Sequence, residues 1–307
     1  MQAETYLKME NKNTLLGHLA CFTAYALFGI NIVVCKDLTS GGAISPLALF
    51  TIRSLGAGAL YWLISLFFPQ EKVDRQDYPK IMAASFLGFF LCQYTFLKGI
   101  PDITPMHCSI IGALTPIYTM FIAAVVLKEP ITMKKGSGVL LSLCGIIFLI
   151  LNNSQGGAVA ESKLQGILLI FLNGLSFALY LGIFRPVIVK YSVVTFMKWI
   201  FLFSIAMSLP FTYREVFSFE WLAIPAAQLW ELGFLVVFAT CVCYFLIPFG
   251  QKRIRPTLVS MYSYVQPIIA TAISIGIGMD SLTWQKILAA IMVFAGVFVV
   301  SRSRAAK

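Results

Sequence analysis

The stretch MYSYVQP (261–267) places hydrogen-bonding side chains inside a long apolar run. In an α-helix, Tyr262 and Gln266 would share one face, while Ser260 and Tyr264 would lie on the other side. Phenol, hydroxyl and amide groups in such a run can bind a polar solute or bond neighbouring helices. We predict that Tyr262 and Gln266 face a binding site and that Ser260 and Tyr264 join helices. The reverse assignment is left open by the sequence.

Side chains of the same kind interrupt other apolar runs. They are Asn31, Gln93, Tyr94, Thr115, Tyr180 and Tyr244. If the runs cross a membrane, such groups are costly to bury, and they commonly mark the pathway of a substrate or ion. We therefore predict that this set, together with Tyr262 and Gln266, binds a small organic solute.

Two prolines accompany these polar residues: Pro116 follows Thr115, and Pro267 follows Gln266. A proline within a helix removes one backbone hydrogen bond and frees a carbonyl group. Membrane helices tolerate this where neighbouring helices or a water-filled cavity satisfy the freed group. We predict kinks that gate or line the pathway; kinks that serve packing alone are the alternative.

Arg53 is a guanidinium within an apolar run, about seven residues from its predicted start. It could attract an anionic group of a substrate, such as a carboxylate. It could instead reach the membrane surface, or pair with Asp37 or Asp102. We group Arg53 with the predicted gating and structural residues.

Catalytic chemistry finds little support in the sequence. The chain has only two histidines, so a site with several histidine ligands for a metal is excluded. Its seven cysteines form no C-x-x-C pair. GIGMD (276–280) resembles the GxGD element of intramembrane aspartyl proteases, but it carries one extra residue and has no partner aspartate within a span. We predict no catalytic residues, no metal, no cofactor and no enzyme activity.

The composition indicates that most of the chain is embedded in a lipid bilayer. Of 307 residues, 59% are hydrophobic and 12% are charged, and the mean hydropathy is +0.85. Since about 20 apolar residues cross the hydrocarbon core as a helix, we predict an all-α integral membrane protein with ten transmembrane helices. The predicted spans are 15–36, 46–68, 79–99, 105–127, 135–152, 164–188, 193–212, 226–249, 256–278 and 284–302.

The basic residues predict the orientation. The net charge is +10, and most lysines and arginines fall on one side if both termini are cytoplasmic. The charge is thus explained by topology, and we predict no nucleic-acid partner. The partners expected are the lipid bilayer and a small-molecule substrate; the oligomeric state is open, with a monomer favoured.

The chain also aligns with itself. At an offset of 151 positions, residues 105–145 lie over residues 256–296 without a gap. Matched pairs are Pro105 with Pro256, Pro116 with Pro267, Glu129 with Asp280, Lys135 with Lys286 and Gly145 with Gly296. An odd number of spans in each copy would insert the second copy upside down, which is the pattern of alternating-access transporters.

These repeats predict the domain organisation. We expect a cytoplasmic tail (1–14), a first five-helix half (15–152), a linker (153–163), a second inverted five-helix half (164–302) and a cytoplasmic tail (303–307).

Several motifs resemble the drug/metabolite transporter superfamily, specifically its EamA-type exporters. They include YALFGINIVVCK (25–36), PLALFTIRSLGAGAL (46–60), LKEPIT (127–132) and GVLLSLCGIIFLI (138–150). The resemblance covers nearly all of the chain and implies a structural or gating position for Glu129. Asp280 mirrors Glu129 in GMDSLT (278–283), where the family usually has Glu.

The sequence as a whole predicts a multi-pass transporter of the bacterial inner (cytoplasmic) membrane. We expect it to export a small organic metabolite by alternating access, and the resemblance suggests an amino acid-like or amphipathic compound. No carboxylate lies at the predicted mid-membrane level, so the coupling ion stays open. The alternative function is a passive channel or facilitator, or a membrane sensor without coupled transport.

Overall fold

A computed structural model describes residues 2–40, 44–99, 102–103, 108, 111–153, 163–217, 225–276 and 282–303. All regular secondary structure in these residues is helical. Seven helices are continuous: α1 (Gln2–Ser40), α2 (Pro46–Ser65), α4 (Thr115–Val126), α5 (Met133–Asn153), α6 (Leu164–Ile183), α7 (Val193–Phe217) and α10 (Trp284–Ser301). A short helix, Arg185–Lys190, connects α6 to α7.

Three helices change their winding along their length. α3 joins Tyr78–Ser85 to Cys92–Gly99 through π-helical turns at Phe86–Leu91. α8 joins Ala226–Phe234 to Cys243–Gln251 through π-helical turns at Leu235–Val242. α9 joins Pro256–Met261 to Val265–Gly276 through a 3₁₀ turn at Tyr262–Tyr264. In each case the change in winding lies beside, or includes, a tyrosine or glutamine that the sequence singled out.

Eight helices within the described residues are long and apolar enough to cross a membrane. They correspond to every predicted span except the fourth and ninth. At the fourth, α4 has only 12 residues, and at the ninth the 3₁₀ turn divides α9. The multi-pass, all-helical class is confirmed, and the figure of ten transmembrane helices stays a prediction. α1 is also helical well beyond the predicted span 15–36.

Local sequence signals explain where several helices begin. The Ser45 hydroxyl accepts a hydrogen bond from the Ala48 amide at 3.2 Å, which caps α2 beside Pro46. The Ser192 hydroxyl similarly accepts from the Thr195 amide at the start of α7. Both serines satisfy amide groups that the first helical turn leaves unpaired. Proline occupies the first turn of α4 and α9, where its missing N–H costs nothing.

Glycines bring α5 and α10 into close contact. Gly138 lies against Gly296 and Val300, and Gly145 lies against Ala289, so the two helices run antiparallel. A Cβ atom on Gly296 would come within 2.4 Å of the Gly138 carbonyl oxygen. Small residues permit this approach, which packing between membrane helices favours.

Three hydrogen bonds join residues that are 151 positions apart. The Gln93 amide donates to the Tyr244 hydroxyl at 3.1 Å. The Tyr264 hydroxyl donates to the Ala113 carbonyl at 2.8 Å. The Ser142 hydroxyl donates to the Val293 carbonyl at 3.0 Å. These bonds connect α3 with α8, the chain just before α4 with α9, and α5 with α10.

Candidate functional site

Tyr244 lies at the centre of a cluster of aromatic rings. Its ring centroid lies 4.5 Å from Phe89, 5.7 Å from Phe28 and 6.1 Å from Phe201, all edge to face. Its hydroxyl accepts the hydrogen bond from Gln93. Because the phenol oxygen accepts from the amide, its own hydrogen is left to donate to a further acceptor. The aromatic cluster is thus apolar on its walls and has a hydrogen-bonding group at its centre.

Tyr180 reaches the same region from α6. A Cβ atom on Gly88 would lie 2.3 Å from the Tyr180 ring, so only glycine lets the ring rest against the π-helical turns of α3. Phe177 stacks on Tyr180 with centroids 5.9 Å apart. Tyr180 is buried, and Gly88 directly precedes Phe89 of the aromatic cluster.

Tyr25 is a member of this region that the sequence reading overlooked. Its ring packs against Phe28 at 5.9 Å. Its hydroxyl is buried and has no hydrogen-bond partner among the described residues. A buried hydroxyl without a partner is costly. The three-residue spacing from Phe28 was the available signal, since such residues share a helix face.

Arg53 is tied to α8 rather than to Asp102. Its Nε donates to the Thr240 hydroxyl at 2.9 Å, and that hydroxyl donates to the Leu235 carbonyl at 2.7 Å within the π-helical turns. Asp102 pairs with Lys163 at 2.7 Å. The side chain of Asp37, the other partner considered, lies outside the described residues. Thr240 lies one turn before Tyr244, so Arg53 lies near the aromatic cluster.

Two predicted substrate residues have other surroundings. Tyr94 stacks on Phe90 at 6.0 Å, and its hydroxyl accepts a hydrogen bond from Lys98 at 3.3 Å. Thr115 is buried where α4 contacts α6, and a Cβ atom on Gly174 would come within 2.9 Å of its hydroxyl oxygen. Pro116 lies in the first turn of α4, just after the turn at residues 113–114 that separates α4 from the helical residues 111–112.

The tyrosines of MYSYVQP point to different helices. The Tyr262 hydroxyl lies 2.7 Å from Nδ1 of His18 on α1, and the Tyr264 hydroxyl donates to the Ala113 carbonyl. The prediction that Tyr264 bonds a neighbouring part of the bundle is confirmed. Ser260 differs from the prediction, because its hydroxyl donates to the Thr257 carbonyl of its own helix. His18 as the partner of Tyr262 was not predicted.

Gln266 and Asn31 are half-buried on α9 and α1, which pack together. The Gln266 carbonyl would lie 3.0 Å from a Cβ atom on Gly29, two residues before Asn31. Pro267 follows the 3₁₀ turn in the first turn of the last section of α9. These residues border the aromatic cluster through Phe28, one turn before Asn31.

Glu129 lies in a buried ion pair at the end of the bundle that carries Arg255. Lys135 Nζ lies 2.7 Å from Glu129 Oε2, and the Thr257 hydroxyl lies 3.4 Å from the same oxygen. The pair therefore ties the loop between α4 and α5 to the start of α9. Asp280, its predicted counterpart, lies outside the described residues, while Lys286 is buried.

Burial differs along the helices that surround the aromatic cluster. Residues 193–198 of α7 and 256–261 of α9 are all buried. Asn31, Arg53, Gln93 and Gln266 are instead half-buried. The bundle is thus closed along these two stretches, at the end that carries Glu129 and Arg255, whereas the four polar side chains keep partial exposure.

Within the described residues, no three His, Cys, Asp or Glu side chains lie close enough together to hold a metal ion. The arrangement offers instead hydrogen-bonding groups, one guanidinium and aromatic faces inside an apolar bundle. Those groups can bind an amphipathic organic molecule without reacting with it.

Comparison with known proteins gives the relatives of this chain. The model of the EamA-like transporter family matches residues 15–151 and again residues 164–302. The uncharacterized transporter YetK of Bacillus subtilis (strain 168) is 24% identical over 94% of this chain and 87% of its own length. An uncharacterized transporter of Archaeoglobus fulgidus is 20% identical over 85% of this chain and 90% of its own length.

Two further comparisons bear on substrate and fold. The S-adenosylmethionine/S-adenosylhomocysteine transporter of Chlamydia muridarum is 23% identical over 75% of this chain and 74% of its own length. A solved crystal structure superposes with a TM-score of 0.76, covering 95% of this chain and 96% of that chain at 17% identity. At that identity the structural likeness shows a shared fold.

Proposed function

Because the chain belongs to the EamA-like transporter family, we propose that it is a secondary transporter that exports a small organic metabolite by alternating access. Its relatives and its apolar helices make it a multi-pass membrane transport protein. The mechanism, the substrate class and the bacterial inner membrane as its location are the parts we propose.

The observation that carries the mechanism is the set of three hydrogen bonds between residues 151 positions apart. If two copies are related by a two-fold axis, a residue on that axis lies beside its own counterpart. Three such contacts on three pairs of segments support an axis that passes between the halves 15–152 and 164–302. The antiparallel contact of α5 with α10 supports an inverted relation of the halves. The ten spans and the cytoplasmic termini of this proposal rest on the apolar runs and on the distribution of basic residues.

We place the substrate at the aromatic cluster. Gln93 and Tyr244 lie on the proposed axis, where both halves contribute equally and where inverted-repeat carriers hold their cargo. Tyr180, Asn31 and Gln266 border it, and Tyr262 lies further along α9. Tyr94 and Thr115 have packing contacts of their own, so we now assign them to the scaffold.

The chemistry of the cluster favours an amphipathic solute. Aromatic edges and faces suit a planar apolar body, while Gln93, Tyr244 and the nearby Arg53 suit amino and carboxylate groups. A relative named for transport of S-adenosylmethionine, which has both kinds of group, supports an amino acid-like substrate.

The test is a thermal-shift screen followed by flux. The purified protein is screened against amino acids, aromatic amines, S-adenosylmethionine and S-adenosylhomocysteine, and each stabilising compound is then offered to proteoliposomes. We expect a hit whose uptake saturates with concentration. Uptake that rises linearly would favour a channel, and chemical conversion without uptake would favour an enzyme.

A further inference from the structure

Charged side chains from the two halves meet at the closed end of the bundle. The loop between α2 and α3 contributes Glu71, Asp74 and Asp77, and the connection between α6 and α7 contributes Lys190, Tyr191 and Ser192. We call these six residues the inter-half latch. Its carboxylates all come from the first half, and Lys190, Tyr191 and Ser192 of the second half donate to them. Lys80 of the first half also donates to Asp77.

Asp77 and Lys190 form the core of the latch. Lys190 Nζ lies 2.6 Å from Asp77 Oδ2 and 2.5 Å from Asp74 Oδ2. The Tyr191 hydroxyl donates to Asp77 Oδ2 at 2.7 Å and accepts from the Asp74 amide at 3.1 Å. Only 4% of the Asp77 side chain is exposed, whereas about half of Lys190 is. The Asp77 side chain is therefore shielded from solvent, whereas its partner Lys190 is not.

Backbone groups extend the latch on both sides. The Ser192 amide donates to Glu71 Oε2 at 2.8 Å, so a carboxylate of the first half lies at the beginning of α7. That position favours negative charge, because the first amide groups of a helix point toward it. Lys252, which follows α8, donates to the Tyr191 carbonyl.

The electrostatics agree with this geometry. Hydrogen bonds from Lys190, Lys80 and Tyr191 hold the pKa of Asp77 well below its ordinary value. Lys190 pairs with Asp74 and Asp77, and these two carboxylates raise the pKa of its ammonium group. Both partners are thus kept ionised, and the charges that join the halves persist.

The part of α7 that follows the latch is buried in the bundle. Ser192 caps α7, whose residues 193–198 are all buried. Separation of the two halves at this end would have to break the contacts of Asp77 and Glu71 before it could expose that stretch.

We propose that the inter-half latch holds the transporter closed on its cytoplasmic side, and that its release admits the substrate from the cytoplasm. This inference rests on the proposed function, since only alternating access requires the halves to separate at this end. One broken charge-assisted hydrogen bond corresponds to about a tenfold change in an equilibrium between two states. Release of the latch should therefore raise the open population by about that factor.

The test measures the distance between the halves directly. Spin labels are attached to Phe67→Cys in the first half and Val189→Cys in the second, both exposed positions, in a chain without other reactive cysteines in nanodiscs. The chain with an intact latch should give one narrow distance distribution. Lys190→Gln and Asp77→Asn should add a longer-distance population about tenfold larger than in the intact chain.

Matched variants keep the result interpretable. Lys72→Gln removes the same charge from an exposed residue of the α2–α3 loop outside the latch and should leave the distances unchanged. Tyr191→Phe is a milder change that should give a smaller open population.

Identical distances in all these chains would overturn the latch, whatever the flux measurements give. If the distances shift as expected but no screened compound shows saturable uptake, the latch stands and the proposed function fails. The two ideas are therefore separable.

Discussion

At the scale of single residues, the proposed function divides the polar side chains of the bundle into a binding group and a packing group. Gln93 and Tyr244 contact each other among aromatic rings, whereas Tyr94 and Thr115 contact residues of the scaffold. The sequence could identify all four as polar groups in apolar runs. It could not assign them to the two groups, because neighbouring residues such as Gln93 and Tyr94 differ only in the direction in which they leave the helix. π-helical turns just before Gln93 alter that direction.

The first prediction concerns the pair at the centre of the aromatic cluster. Gln93→Ala removes the amide that the substrate would contact, and Tyr244→Phe removes the phenol. We expect each to reduce flux of a screened hit by tenfold or more, which is about the value of one hydrogen bond to a charged group. Flux per folded protein is the measurement.

Tyr94→Phe is the control for this pair, since it also removes a phenol from a neighbouring position, but one that faces Lys98. It should transport like the unmodified chain. Equal losses in Tyr94→Phe and Tyr244→Phe would contradict the assignment of the binding group.

The second prediction concerns Tyr264, which belongs to the packing group. The Ile117 amide donates to the Leu114 carbonyl, and not to the Ala113 carbonyl that a regular helix would offer it. The Tyr264 hydroxyl donates to the Ala113 carbonyl in its place. Tyr264→Phe leaves that carbonyl unpaired, and we expect a loss of about 1–3 kcal/mol in the free energy of unfolding. Denaturation of the purified protein checks this.

The affinity for a hit should change little in the same variant. A Tyr264→Phe protein that is fully stable but binds no hit would instead place Tyr264 in the binding site.

At the scale of helices, the apolar runs allowed most elements to be predicted, with errors at the irregular ones. Eight predicted spans correspond to long helices. In the fourth and ninth spans, proline and the 3₁₀ turn interrupt regular hydrogen bonding, and part of each span lies outside the described residues. The sequence matched Gly145 with Gly296 as repeat counterparts, but it did not predict that α5 contacts α10. The position at which each glycine meets the other helix depends on the angle and level at which the two helices cross. A local sequence pattern does not determine that geometry.

The third prediction tests that crossing. Gly296→Ala places a Cβ atom 2.4 Å from the Gly138 carbonyl and 2.1 Å from the Ser142 hydroxyl. We expect α5 and α10 to separate locally, at a cost of about 1–3 kcal/mol, as for other overpacked sites. Thermal unfolding in detergent is the measurement.

Gly136→Ala is the matched change in α5, because nothing lies within 4 Å of the added atom. It should be neutral or stabilising by up to about 1 kcal/mol, since alanine favours the helix over glycine. If both variants unfold at the same temperature, the close contact of α5 with α10 is wrong.

At the scale of the whole molecule, the repeat in the sequence and the contacts between the halves support one another. Residues 105–145 align with 256–296 at an offset of 151, and the same separation divides Gln93 from Tyr244, which the structure joins by a hydrogen bond. The inter-half latch has no counterpart in the sequence reading. Its first loop lies between the predicted spans 46–68 and 79–99, and the partners of that loop lie more than 110 residues away.

The fourth prediction concerns pH and the latch. The lowered pKa of Asp77 means that its contribution is fully present above the ordinary pKa of about 3.9 and is lost as the pH falls through the lower folded value. The raised pKa of Lys190 means that its contribution persists up to the ordinary value of about 10.4. Distances between labels at residues 67 and 189 should therefore be the same at pH 5 and pH 8.

The expected pH independence includes the titratable groups that surround Asp77 and Lys190. They are Glu71, Asp74 and Lys80 on the first half, and Tyr191 and Lys252 on the second. Burial lowers the pKa of Lys252, but that lysine donates to a backbone carbonyl rather than to a carboxylate. A longer distance at either pH would show that the latch is not held by Asp77 and Lys190.

Counterflow in proteoliposomes tests the central claim, alternating access about a shared site, most directly. Vesicles are loaded with an excess of an unlabelled hit from the thermal-shift screen and diluted into a trace of the same compound in labelled form. An alternating-access transporter exchanges the two, so we predict that labelled compound rises transiently above its equilibrium level, and that Gln93→Ala abolishes the overshoot. Labelled compound that approaches equilibrium without an overshoot, with a rate that does not saturate, would contradict the account and identify a passive channel.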